Sequence, residues 1–166
     1  KSRGQCEQGS IQVTTTTVDE LAMKYLTSPD DMISLIKIDT EGWEPAVLRG
    51  MNQTITQRRV DLILFETGST WEDGRAAYPT NLFTVVQYLS EVLPEPFECF
   101  YVGFRCLLPL SRSNWDPVYD YRKQHRNVIC GRRKEYMLDL FRIYNHLDSR
   151  NPAPICYNPP TLLSGH

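Results

Sequence analysis

Asp39, Thr40 and Glu41 lie at the end of one apolar run, ISLIKID (33–39), and Glu66 and Thr67 close a second, DLILFET (61–67). In an open α/β sheet the carboxyl ends of the strands form the rim where ligands bind. If the two strands are neighbours, as consecutive strands usually are, Asp39, Glu41 and Glu66 converge on one rim. Like charges held together in a half-covered pocket repel. That repulsion should raise at least one pKa and allow a carboxylate to act as a general base near neutral pH. The plainer use of a single acid at a strand end is to cap the following helix or to bind water. Gly42 comes next, where a sharp turn can use a residue without a Cβ at positive φ. Lys37 lies inside the first apolar run, where an unpaired ammonium would be costly. It either pairs with Asp39 or Glu66 or carries its head to solvent.

Other side chains offer chemistry with less support. Trp43 after the glycine turn, and Trp71 and Tyr78 beyond the second run, are aromatic surfaces on which an acceptor such as a sugar could dock. Each has packing under a loop as its plainer use. His125 precedes a short apolar run and could assist proton transfer; its plainer use is as a surface histidine in a polar stretch, since nothing in the sequence brings it near the acids. The five cysteines are odd in number and form no C-x-x-C pair, so neither a closed disulfide framework nor a zinc site is signalled. Asn52-Gln53-Thr54 matches a glycosylation acceptor, a tripeptide common by chance.

The elements that must position these residues follow from periodicity. The runs 33–39, 61–67 and 97–104 are strand-like, and NVIC (127–130) is a shorter fourth. The first two hardly alternate, which points to strands covered on both faces, as in a parallel sheet between helices. Thr17 and Glu20 have the capping-box spacing at the head of a short amphipathic helix. Pro45 and Gly50 bracket a brief helix over 45–49. Apolar spacing gives helices over 80–93 and 132–147. The alternation of helices and strands is that of an α/β layered sheet. A short strand is expected at 11–15, and the polar tail after 147 carries four prolines.

The chain of 166 residues is ordinary in composition, with a net charge of −2 and a pI near 5.9. That charge argues against nucleic acid as a partner. No apolar stretch reaches the roughly 20 residues of a membrane span. The first residue is Lys1, which points to a processed or excised piece.

The string IKIDTEGWEPAVLRGM (36–51) carries the pattern Lys, aliphatic, Asp, any, Glu, Gly, any, Glu, followed by Val-Leu-any-Gly. It resembles the hallmark of the FkbM-type methyltransferases, class I enzymes that use S-adenosylmethionine. VTTTTVDEL (13–21) is similar to that family's Thr-Leu-Asp segment, and LILFE (62–66) to its second acid-tipped strand. The resemblance implies the C-terminal half of a class I, Rossmann-like domain over 11–147, with a mostly parallel sheet, flanking helices and one antiparallel late strand. It implies an O-methyltransferase acting on a hydroxyl of a small molecule or glycan. Asp39 and Thr40 would face the cofactor, Asp39, Glu41 and Glu66 would supply acid–base chemistry, and Trp43 and Trp71 would meet the acceptor. The glycine-rich cofactor loop of such enzymes has no counterpart in the sequence, so the fragment alone is expected to be inactive. Two other readings stand beside this one. A non-catalytic module could have kept the sheet without the cofactor loop, and Asp39-Thr40-Glu41-Gly42 after a strand also fits a metal-dependent phosphotransferase.

Overall fold

The computed structural model describes residues 11, 13–68, 71, 80–103, 107–121, 125–132 and 134–146. Tyr78 and the proline-bearing tail lie outside them.

The chain runs α1 (Val18–Tyr25), β1 (Ile33–Ile38), α2 (Glu44–Arg49), α3 (Asn52–Thr56), β2 (Val60–Thr67) and α4 (Leu82–Gln87). It continues with a π-helical turn (Tyr88–Val92), β3 (Glu98–Val102), β4 (Leu107–Pro109), a 3-10 turn (Arg112–Asn114), α5 (Val118–Tyr121), β5 (Arg126–Gly131) and α6 (Lys134–His146). The capping box of α1 forms as its spacing requires: Thr17 accepts from the Glu20 amide, and the Glu20 carboxylate takes the Thr17 amide. The Thr16 hydroxyl, followed by the Thr17 amide, holds the Glu20 carboxyl below its ordinary range. Residues 13–16 join no sheet, in contrast to the short strand expected there. The expected helix over 80–93 is split, because the last turn widens into the π-helical segment.

Asp19 explains how α1 is tied down. Its carboxylate accepts from the amides of Gln53 (3.0 Å) and Thr54 (2.8 Å) and from the Thr54 hydroxyl (2.7 Å), so α1 supplies the cap that α3 lacks from its own sequence. The same bonds take up the glycosylation-like tripeptide. Thr54 is buried, and the Asn52 side chain accepts from the Tyr88 hydroxyl.

The five strands are ordered β1-β2-β5-β3-β4. β1 and β2 are parallel neighbours, with Ile36 opposite Ile63 and Ile38 opposite Phe65. β5 lies antiparallel between β2 and β3, and β4 is antiparallel to β3. The sheet is therefore mixed, which corrects the expectation of a mostly parallel one. The cause is the route of the chain. Helices carry it back between β1, β2 and β3, so those three strands run the same way. After β4 descends, the 3-10 turn and α5 return the chain to the rim, and β5 starts there and runs down.

One face of the sheet carries the main core. Ile38, Ile63, Phe65, Val128 and Cys130 point to it and pack with Leu48, Met51, Ile55, Val86 and Leu89 from the helices. Cys99 and Cys130 are register partners on this face and are joined as a disulfide, a pairing that cysteine spacing did not signal. On the opposite face Met137 and Leu140 of α6 pack with Leu62 and Ile129, while Leu35 of the edge strand β1 is 51% exposed. Continuous apolar composition thus does not mean two covered faces for β1 in the described residues.

Candidate functional site

Strand alternation divides the rim residues between the two faces. On the covered face the anchor is Glu44, the first residue of α2, only 1% exposed. Its Oε1 accepts from the Thr40 amide (2.7 Å) and the Thr40 hydroxyl (3.2 Å). The Gly42 amide reaches both carboxylate oxygens (3.3 and 3.0 Å), and the Trp71 indole N–H donates to Oε2 at 2.9 Å. Glu41 and Gly42 both have left-handed backbone, φ 54° and 103°. That curl wraps the amides around the carboxylate. A Cβ is disfavoured at the second of these positions, and at the first the Glu41 side chain is thrown out to solvent.

Trp71, expected as a docking platform, is 2% exposed; besides binding Glu44 it stacks on Phe65 with ring centroids 5.9 Å apart. It supports the turn from beneath and shows no free face to a ligand. Trp43 is 48% exposed at the head of α2, open to contact. Thr40 lies at the rim with its amide and hydroxyl both given to Glu44.

On the opposite, open face lie Lys37, Asp39 and Glu66. Lys37 Nζ is 2.8 Å from Asp39 Oδ2, and the two side chains are 58% and 43% exposed. The hydrogen bond and charge of Asp39 hold the Lys37 ammonium above its ordinary range, with a smaller push from Glu66. Both alternatives for Lys37 are therefore realised at once: it is paired and it is in solvent. Lys37→Met is accordingly expected to leave the denaturation midpoint where it was, because an exposed ion pair adds little to stability. A clear drop in the urea midpoint would show that the lysine is buried in solution.

Glu66 also has an imidazole neighbour. Its Oε2 lies 3.4 Å from Nδ1 of His125, with side chains 23% and 50% exposed. His125 immediately precedes β5, whose first residue, Arg126, is opposite Thr67, so the antiparallel strand delivers the ring to the end of β2. The rim therefore brings together Lys37, Asp39, Glu66 and His125. Glu41 stands apart in the exposed turn. Lys37 supplies a cation to this rim, held to Asp39 and acting at longer range on Glu66.

Sequence reasoning passed over Glu44 and could not bring His125 to the acids. Glu44 stood in the hallmark string, and an acid beside a glycine turn at a helix start was the signal available for it. His125 had no local signal, since its place depends on β5 entering beside β2. An aromatic wall flanks the same end of the sheet on the covered side, where Phe83, Trp115, Tyr119 and Tyr101 follow one another with ring centroids 5.2, 5.6 and 5.7 Å apart, the first pair tilted, the second edge-on and the third stacked. A groove of about 480 Å³ opens elsewhere, between α2, α3 and α4, lined by Pro45, Leu48, Ile55, Thr84 and Tyr88, and it holds none of the acids.

Neither the curated proteins nor the solved structures contain a significant match to the chain. The family model of the methyltransferase FkbM domain does match, over residues 2–100, more than half of the chain. That span takes in the Thr17–Glu20 cap with Asp19, the acid-tipped strands β1 and β2 and the Glu44-anchored turn, and with it the chain belongs to the FkbM methyltransferase family.

Proposed function

We propose that residues 11–147 form the acceptor side of an S-adenosylmethionine-dependent O-methyltransferase whose substrate is a hydroxyl group, on a sugar or glycan. The observation that carries this reading is the acidic rim on the open face, Asp39 with Glu66, at the carboxyl ends of two parallel neighbouring strands. Methyl transfer requires a nucleophile aligned with an electrophilic carbon and, for a hydroxyl, a group to take its proton. Exposed carboxylates at this rim suit both tasks.

The residues present fit one side of the cofactor. A sulfonium is a cation, and Asp39 offers negative charge beside the point where the turn begins. Thr40 contributes less, because its amide and hydroxyl are already bonded to Glu44. When bound, the cofactor supplies the transferable methyl group. Trp43 is the exposed aromatic suited to meet an acceptor, with Glu41 in the turn beside it. Membership of a methyltransferase family sets aside the phosphotransferase reading.

The sequence has no glycine-rich loop after a strand, so this chain by itself is expected to bind S-adenosylmethionine more weakly than micromolar. Titration calorimetry on the 166-residue chain tests this. A clear micromolar isotherm would show that the rim alone holds the cofactor. Transfer of labelled methyl from S-adenosylmethionine to methyl glycosides by the intact protein tests the activity. Binding of a partner protein without methyl transfer would favour the non-catalytic module instead.

A further inference from the structure

We propose that His125 is the proton acceptor of this rim and that Glu66 is its positioning residue, an inference that rests on the O-methyltransferase reading above. Two independent observations carry it. The first is the contact between Glu66 Oε2 and His125 Nδ1 at 3.4 Å, on the open face beside Asp39. The second is the seat of the ring. A Cβ built on Gly68 would come within 3.1 Å of His125 Nδ1 and 3.4 Å of two ring carbons, so the ring packs directly over the bare backbone that follows β2. The missing side chain at Gly68 gives the imidazole its place.

The chemistry follows from which nitrogen is engaged. A carboxylate can only accept, so we infer that closing this 3.4 Å contact to a hydrogen bond places the neutral ring's proton on Nδ1 and leaves the Nε2 lone pair free to accept. A carboxylate that orients imidazole in this way also stabilises the imidazolium formed when the ring takes a proton, the division of labour seen in acid–histidine pairs generally. In the transfer step the acceptor oxygen forms its bond to the methyl carbon. The carbon–sulfur bond breaks with its electron pair left on sulfur, and the hydroxyl proton passes to Nε2. The other charges around the pair are compatible with this. Lys37 is held by Asp39, and the Arg126 guanidinium lies over the Tyr101 ring, 5.8 Å from its centroid.

The first test needs no acceptor. Long-range ¹⁵N–¹H spectra of the labelled chain, recorded where the ring is neutral, report the tautomer, and His125→Gln assigns the signal among the three histidines. The expected result is the Nδ1–H form in the wild type, lost in Glu66→Gln and weakened in Gly68→Ala, which crowds the ring without touching the acid. An Nε2–H ring in the wild type, or a tautomer that ignores Glu66→Gln, overturns the pairing. The second test follows methyl transfer to methyl glycosides by the intact protein. His125→Gln and Glu66→Gln should each lower kcat about 100-fold, and the double variant should be no worse, because the two act as one unit. Binding of S-adenosylhomocysteine should be unchanged. Wild-type turnover by His125→Gln, with transfer by the wild type intact, overturns the base role alone. No transfer and no cofactor binding by the wild type overturns the methyltransferase reading, and the base role falls with it.

Discussion

Glu44→Ala is expected to destabilise the chain by about 3–5 kcal/mol, the cost of leaving several buried donors without an acceptor at once. The argument is a count of orphaned donors. The Thr40 amide, the Gly42 amide and the Trp71 indole all point at a carboxylate that is 1% exposed. Each buried donor left without a partner costs roughly 1–3 kcal/mol, and water can reach only part of the space. The left-handed curl at Glu41 and Gly42 adds to the effect, since the bonds to Glu44 are what hold that unfavourable backbone in place. Glu44→Gln should cost less, about 1–3 kcal/mol, because the amide keeps one accepting oxygen and turns a donor toward one of its former partners. If that partner is the Trp71 indole, Trp71→Phe should be less harmful in the Gln background than in the wild type. Urea denaturation of the four proteins measures this coupling directly. A Glu44→Ala midpoint equal to that of the wild type would mean that the turn is held by something other than this carboxylate.

That anchor also shows how far the sequence could be read. The strands at 33–39 and 61–67 were legible because apolar, β-branched runs that end in acids have few other uses. Their parallel pairing was legible too, since consecutive strands with helices between them usually lie side by side. The Thr17 cap was legible because its bonds are local. What escaped the sequence was non-local. Continuous apolar composition looks the same whether a strand has one covered face or two, so the exposure of Leu35 was hidden and that of Lys37 stayed one of two alternatives. The order β2-β5-β3 depends on a strand inserted from a distant part of the chain, and with it went the Cys99–Cys130 pair and the approach of His125 to Glu66. For Trp71 the plainer use, packing under a loop, is the one realised, and the sequence could not show the buried acid that needs its N–H.

The same division between faces sets what the acids can do. Glu44 is wholly occupied by donors from its own chain, so it shapes the turn and has nothing left for a substrate. Asp39 is the reverse case. It touches Lys37 through one oxygen, lies 43% exposed and sits where β1 ends, so it is both accessible and cheap to alter. Asp39→Asn keeps the shape and removes the charge. It should leave the denaturation midpoint unchanged, because an exposed ion pair carries little of the stability. In the intact protein it should lower kcat for transfer to a hydroxylated acceptor by about 100-fold or more, the usual worth of a fixed charge placed at the reacting centre. Lys37→Met, which leaves the Asp39 charge without its neighbour, should not reproduce that loss. The pair of variants therefore separates the charge of Asp39 from the ion pair it makes. If Asp39→Asn and Glu66→Gln both turn over acceptor at near wild-type rates, the acidic rim is structural and the proton leaves by another route. If Asp39→Asn loses activity and stability together, Asp39 belongs with Glu44 to the scaffold of the turn, and the chemistry must be assigned to residues farther along the rim.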